Sequence, residues 1–449
     1  MTDLKTELLI MEKENERAAD ALCDACSLSD YAHLARGGVW TKALQRALDE
    51  HEVVTVPPSD TPYIVDETVV IPSNRKIVAY GATLLAAPDM DVIMMRNEHP
   101  VDQTHKNEKP TSRDDNITIL GGTFDDGRSS RAGYGKSGKY DAERSFYGVS
   151  TCLLFNNLTG LTVKDATFAH CAAFALQAGE IENAVFRNIR FDDCYADGLH
   201  FGGNIKNILA VNVKGSVGDD LVALNMYDWQ DSSVTFGAGE NIWCEDLSLD
   251  SESKYKALRL ESGIYKFDDG STVDCALRRV VIKNVRGIRT FKLYLQTPPY
   301  VVGGAREWGE CGSASDILFE DIDVELCAPI DKFSEYLDGD KVRGTFAAFE
   351  LGANIENLTL KNIRLTLHRD EYPESRLMCI GPKSIVRNGK EVFDPYLSPT
   401  AKNVTLDSVT VNGEKLTRAD GFIKEISFDD VNGDGASSGK GKFIGVKVI

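Results

Sequence analysis

Two carboxylates stand side by side in SVGDDLVALN (216–225), where Asp219 and Asp220 follow a glycine and precede an apolar run. Adjacent like charges raise each other's cost of ionisation, so one of the pair can keep its proton while the other stays charged. A catalytic site that needs both an acid and a base would use such a pair. A solvated turn would tolerate it, and Gly-Asp-Asp is ordinary turn chemistry. A third aspartate, Asp197, precedes them in YADGLHF (195–201). Whether these side chains meet depends on the elements that carry them.

The carrier is a repeat. NITILGGTFDD (116), GLTVKDATFAHC (160), NAVFRNIRFDDC (183), NILAVNVKGSV (207), NIWCEDLSLDS (241), RVVIKNVRGI (279), DILFEDIDVEL (316), NLTLKNIRLTL (357) and NVTLDSVTVNG (403) share one form. Two short apolar alternations are separated by polar residues, and the unit often opens on Asn or Asp. The tightest steps are about 23 residues, a solenoid period, and later steps lengthen as if loops enter at one corner. Short strands at this period, with no helix between them, predict an all-β, right-handed parallel β-helix. Asparagines at one corner would stack as a hydrogen-bonded ladder. A β-sandwich is the structural runner-up, with few hairpin signals in its favour.

Ahead of the repeats, the first thirty residues read as helical. WTKALQRALDE (40–50) is an amphipathic helix, with Ala43, Leu44, Ala47 and Leu48 on one face, that would cap the N-terminal end of the coil. The expected organisation is residues 1–50 as helical segment and cap, and 51–449 as one β-helix with long corner loops.

Equivalent positions of neighbouring coils lie one strand spacing apart, about 4.8 Å. HCAAFALQ (170–177), YADGLHF (195–201), VGDDLVALN (217–225), YKALRLES (255–262) and RTFKLYLQT (289–297) occupy one such face. Alternation points Leu199, Phe201, Leu258, Leu260, Phe291, Leu293 and Leu295 inward. It points His200, Arg259, Glu261, Lys292 and Tyr294 outward, with Gln177 on the coil before. Asp197, Asp219 and Asp220 fall at the entrance to that face beside Arg259, Lys292 and Lys256. Carboxylates clustered with cations drive pKa values apart, which is the apparatus of glycosidic bond cleavage.

YADGLHF followed by KNILAVNVKGSVGDDLVALN resembles the N-T-D-G … G-D-D-C-I-A-I signature of the polygalacturonases, glycoside hydrolase family 28. VVTVPPSDTPYIV, VVIPSNRKIVAYGATLLA and ITILGGTFDDG keep the order found in such enzymes, so the similarity spans roughly residues 35–300. The resemblance implies an inverting hydrolase: Asp219 as general acid, with Asp197 and Asp220 positioning and deprotonating the water. The chain departs from the family at Ala196, where the family has Thr, and in lacking the histidine of the G-H-G coil. If YKALRLES occupies that coil, Lys256 stands near the histidine position and TFKLYLQ replaces the R-I-K motif with Lys292 and Tyr294. In the other register Arg259 and Glu261 stand in for R-I-K. The first is preferred because Asp220 to Lys256 then spans one coil plus an insertion. Either alters the grip on the substrate carboxylate.

Around this set, GRSSRAGYGKSGKYDAERSFYG (127–148) carries Arg128, Arg131, Lys136, Lys139 and Arg144, a basic wall or a solvated insertion. Tyr227, Trp229 and Trp308 lie on inserted segments, where aromatic faces suit sugar rings or pack the loop onto the coil. Loops of this bulk close the groove ends and favour release from chain ends.

A formal charge of −19 argues against nucleic acid. The charged N-terminus lacks a signal-peptide core and no run is long enough to span a membrane, so a cytoplasmic enzyme with reduced thiols is expected. Cys194, near Asp197, reads as a core residue. DDVNGDG (429–435) imitates a calcium loop, but Gly441 sits where its last acidic ligand belongs, so no metal and no cofactor are expected. The sequence therefore points to a cytosolic glycoside hydrolase acting on short, uronic-acid-containing oligosaccharides; a homo-oligomer is compatible with it. A lyase, epimerase or intramolecular transferase on the same scaffold is the first rival. A non-catalytic carbohydrate-binding solenoid is the second.

Overall fold

A computed structural model of the chain describes residues 2–88, 90, 93–101, 112–127, 139–141, 146–148, 151–227, 235–267, 270–294, 311–327, 337–338, 341–342, 346–381, 384–387, 390–393, 398–426 and 440–449. The repeat resolves into one physical unit: a residue in the left-handed region, a four-residue strand, and a second left-handed residue. Asn183, Asn207, Asn241, Asn357 and Asn403 take φ of 55–61° at the first corner. Asn188, Asn212, Asp246, Asn284, Asp321 and Asn362 do so at the second, at 50–59°. Asn and Asp visit this region more readily than other residues with a side chain.

The corner side chains then hydrogen-bond from coil to coil. Asn207 donates to Asn183 at 2.8 Å, Asn241 to Asn207 at 2.9 Å, Asn357 to Asp316 at 3.0 Å and Asn403 to Asn357 at 3.2 Å. Arg279, which stands where the others have Asn, keeps the left-handed backbone and donates to Asn241 at 2.9 Å. Along these bonded pairs the step grows from 24 residues to 34, 38, 41 and 46, so the extra chain leaves each bonded rung in place.

Pairing between coils is parallel throughout, and the coil is a right-handed β-helix. Between the corners, the first and third residues of each strand point inward, as Ala184 and Phe186, Ile208 and Ala210, and Ile242 and Cys244 do, and all are buried. Phe124, Phe168 and Phe191 stack inside on successive coils, with centroids 5.5 and 5.8 Å apart. The β-sandwich alternative is thereby excluded.

The N-terminal helices do different jobs. α2 (Thr41–Glu50) buries Ala43, Leu44, Ala47 and Leu48 in the main core at the first coils. α1 (Thr2–Asp20) lies along the outside of the coil instead of over its end. Leu4, Leu8 and Met11 pack on Val185, Leu209, Trp243 and Val281, the outward residues of four neighbouring strands. The helical expectation for the first thirty residues overshoots: Ala25–Ser27 is already a strand of the parallel sheet, paired with Val53–Thr55, and Leu28–Leu34 is a 3-10 helix.

Candidate active site

A separate face of the coil is built by the strands Leu199–Phe201, Asp220–Asn225, Ala257–Glu261, Thr290–Tyr294 and Phe346–Gly352. Their register sets one outward column: Gln177, His200, Ala223, Arg259, Lys292 and Glu350 lie directly over one another. The expected alternation holds, and Leu199, Phe201, Leu258, Leu260, Phe291 and Leu293 all enter the core. Glu350 was not anticipated, although Phe349 and Leu351 flank it with the same alternation in FAAFELG.

Arg259 stands one coil beyond Asp220 and Lys292 two, which is the first of the two registers weighed from the sequence. Between Asp220 and Ala223 the register shifts, with three steps on one strand against two on the next. This bulge turns Asp220 onto the outward face that strict alternation from Ala223 denies it.

Asp197 sits in the turn ahead of its strand, Asp219 ahead of the next, and Asp220 opens that next strand. Carboxylate oxygens from the three lie within 4.8 Å of one another. Such closeness depends on glycine: a Cβ at Gly218 would strike the Tyr195 carbonyl oxygen, and one at Gly198 would come 2.7 Å from the Leu221 carbonyl oxygen.

The three carboxyls have different partners. Asp197 Oδ1 accepts the Asp220 N–H at 3.0 Å, and its Oδ2 is 2.7 Å from His200 Nδ1. Asp220 Oδ2 meets Arg259 Nε at 2.8 Å. Asp219 is 3.7 Å from the Arg259 guanidinium and keeps 22% of its side chain exposed. Among the described residues, Asp219 Oδ1 and Asp220 Oδ1 are buried without a hydrogen-bond donor.

Burial, then the charges of Asp220 and Asp197, pushes the Asp219 carboxyl well above its ordinary range against the pull of Arg259 and Lys292. Burial pushes Asp220 up to about 6, restrained first by Arg259. Asp219 and Asp220 titrate as an interacting pair, with the proton favoured on Asp219. Oxygen ligands in this number suit a hard divalent cation, but Arg259 and Lys292 already place positive charge at the same oxygens. The other acid–histidine grouping, Glu98, His99 and Asp114, is structural: Asp114 accepts from Ser73, Asn97 and the His99 N–H at 2.7–3.1 Å.

The remaining expected site residues divide. Gln177, His200, Glu261 and Lys292 are outward on the sheet yet at most 2% exposed. Lys292 Nζ lies 4.2 Å from the centre of the Tyr255 ring. Lys256 adopts the left-handed corner conformation and is half-buried; Arg259 makes the contact with the carboxylates. Tyr294 is in the strand, opposite Gly352, with only its backbone described. Trp229, Trp308, Leu295, residues 128–138 and 142–145 of the basic loop, and DDVNGDG lie outside the described residues. Tyr227 packs against Phe236 and Tyr265, with centroids 6.1 and 5.8 Å away, and those two rings stack on each other at 3.6 Å. Cys194 is a core thiol, 3% exposed.

Sequence reasoning missed Phe174, which stacks on His200 at 3.8 Å, and the buried Arg289, whose Nε donates to the Tyr255 carbonyl at 2.8 Å. Phe174 belongs to an apolar cluster with Ile93, Leu154, Ala173 and Ala196 on the N-terminal side of the carboxyls.

No protein-family model matches the chain, and no curated protein matches it. Among solved structures it is similar to a hyperthermoactive exopolygalacturonase from Thermotoga maritima, at 13% identity and a TM-score of 0.44 over 90% of this chain and 97% of that one. A family 28 exopolygalacturonase from Yersinia enterocolitica gives 12% identity and a TM-score of 0.41, covering 95% and 78%. A tailspike protein of E. coli bacteriophage HK620 gives 13% and 0.49, covering 87% and 67%.

Proposed function

We propose that the chain is a glycoside hydrolase that releases residues from the ends of short, uronic-acid-containing oligosaccharides. One observation carries this reading: three carboxyls from adjacent coils converge, and their surroundings divide them into a proton-holding acid and a cation-paired base. Asp219, with an oxygen that no described donor occupies, protonates the glycosidic oxygen. Asp220, paired with Arg259, takes the proton of the attacking water. Arg259 and Lys292 supply positive charge for a substrate carboxylate in a chain that is strongly acidic overall. The apolar cluster around Phe174 fills one side of the site, which favours a substrate that enters by its end.

The spacing bears on stereochemistry. Inverting enzymes usually separate their carboxyls by roughly 6.5–9.5 Å to admit a water, and retaining ones by about 5 Å. Oxygens within 4.8 Å fall on the shorter side, so inversion rests on the family resemblance alone.

The test is a panel of reducing-end-labelled oligouronides, with proton NMR of the first anomer released. Release of single terminal residues, abolished in Asp219→Asn, supports the reading. Wild-type-like turnover by that variant, or an ultraviolet-absorbing unsaturated product, overturns it; the latter identifies a lyase.

A further inference from the structure

The three aspartates do not offer the same thing to a reacting bond. Asp219 and Asp220 each keep an oxygen that no donor among the described residues occupies. Asp197 directs both oxygens into the protein, one to the Asp220 N–H at 3.0 Å and one to His200 Nδ1 at 2.7 Å. Nor is His200 placed to meet a sugar. It is 1% exposed, and its ring lies face to face with Phe174, at 3.8 Å and 16°. Phe174 is itself fixed among Ile93, Leu154, Ala173 and Ala196. In the column, His200 sits between Gln177 and Ala223.

The main chain ties the same turns. Ala175 N–H donates to the Asp197 carbonyl, and Gly198 N–H to the Asp220 carbonyl, both at 3.0 Å. Asp197 therefore spans three consecutive coils: its carbonyl holds the one before, its side chain the one after, and His200 locks its rotamer from within its own. A ring clamped on one face and bonded through Nδ1 has little freedom to follow a substrate.

We infer that Asp197 and His200, clamped by Phe174, are a positioning pair that fixes the Asp219–Asp220 corner, and that bond cleavage in this chain is the work of two carboxyls. This rests on the hydrolase reading for its kinetic consequence, but the hydrogen bond itself does not. The pair also holds Asp197's charge at fixed range from Asp219, one of the causes that keep the Asp219 proton in place.

Asparagine at 197 can still accept the Asp220 N–H. Asparagine at 200 can place its amide N–H where Nδ1 now stands, whereas leucine cannot. Misplacing a reacting group by about 1 Å costs roughly 100-fold. The expected order is therefore a loss in kcat below about 100-fold for Asp197→Asn and about 10-fold or less for His200→Asn. His200→Leu should lose about 100-fold with KM unchanged, and Asp219→Asn and Asp220→Asn 1,000-fold or more. An Asp197→Asn variant as inactive as Asp219→Asn, or His200→Asn no better than His200→Leu, overturns the inference.

A second measurement needs no turnover. In 15N-histidine-labelled wild-type protein without ligand, the His200 Nδ1 resonance should show a hydrogen-bonded N–H that is lost in Asp197→Ala. Titration of 13C-aspartate-labelled protein with D-glucuronate should move the Asp219 and Asp220 carboxyl signals and leave Asp197 in place. A wild-type Nδ1 signal indifferent to Asp197→Ala, or an Asp197 signal that moves with the sugar as far as the other two, refutes the pairing. If no oligouronide is cleaved, the hydrolase reading fails while the nitrogen spectrum still decides the pair.

Discussion

Charge is handled in opposite ways on two faces of the same coil. Under α1, Glu12 meets Arg187 at 2.6 Å and Lys164 at 2.9 Å, and farther along Glu320 bridges Lys283 and Lys361 at 3.0 and 2.6 Å. Burial opposes the ionisation of Glu12 and Glu320, yet hydrogen bonds from those cations outweigh it and hold both carboxyls below their ordinary range. At the site, burial outweighs Arg259 and Lys292, and Asp219 and Asp220 go up. The first arrangement adds to stability at neutral pH and the second subtracts from it. Charge arranged against stability marks the second face as the candidate functional one.

The largest effect that would break this contrast is expected from Asp219→Asn. Its kcat should fall by roughly 1,000-fold or more, at the upper end of what loss of a general acid costs. Its thermal midpoint should rise by on the order of 2 °C, because a buried group that resists ionisation is gone. Calorimetry showing a lower midpoint would place Asp219 among the stabilising charges. Next is Gly218→Ala, whose methyl runs into the Tyr195 carbonyl. It should cost about 2 kcal/mol or more in a denaturant titration and remove activity together with the corner. Glu12→Ala leaves Arg187 and Lys164 facing a vacated carboxylate site, and should cost about 2–3 kcal/mol with turnover per folded molecule unchanged.

The pH dependence sharpens the comparison because the two signs differ. Asp219 and Asp220 are raised, so their contribution to stability is complete below the unfolded value of about 3.9; that of Asp220 is lost as pH rises through about 6, and that of Asp219 as pH rises through its own elevated value. Glu12 is depressed, so its contribution is present above about 4.3 and is lost as pH falls. The midpoint gained by Asp219→Asn should therefore grow between pH 4 and pH 7. The midpoint lost by Glu12→Gln should shrink as pH drops below about 4. Parallel trends would erase the distinction. Smallest of all is Lys361→Ala, which removes a half-exposed lysine and leaves Lys283 paired with Glu320, expected to change stability by less than about 1 kcal/mol.

Local signals explain what the sequence disclosed. Corner asparagines, the inward file from Leu199 to Leu293, and the nearness of Asp197 to Asp219 all follow from a fixed period and a two-residue alternation. The bulge after Asp220 breaks that alternation and leaves no compositional mark. α1 was legible as a helix, but its placement depends on Leu4, Leu8 and Met11 meeting Val185, Leu209 and Trp243, far off in the chain. The His200–Asp197 bond is short in sequence, an i, i+3 pair across a turn; alternation gives the outward direction of His200 and not its partner. Phe174 escaped notice because CAAFAL around it reads as plain core.

The reach of α1 carries a consequence for how this solenoid can change in length. Its contacts run from Lys5 on Glu245 and Glu7 on Arg279 at one end, through Glu12 on Arg187, to Asp20 on Lys76 at the other. Those partners occupy seven consecutive turns of the coil, about 29 Å at 4.8 Å per turn. Nineteen helical residues measure about 28 Å. The helix thus works as a ruler: inserting or deleting one turn within its span would throw one end out of step with its partners. Turns beyond Arg279 are free of that measure, so lengthening by duplication has an open route toward the C-terminus and a closed one through the turns that carry Asp197, Asp219 and Asp220.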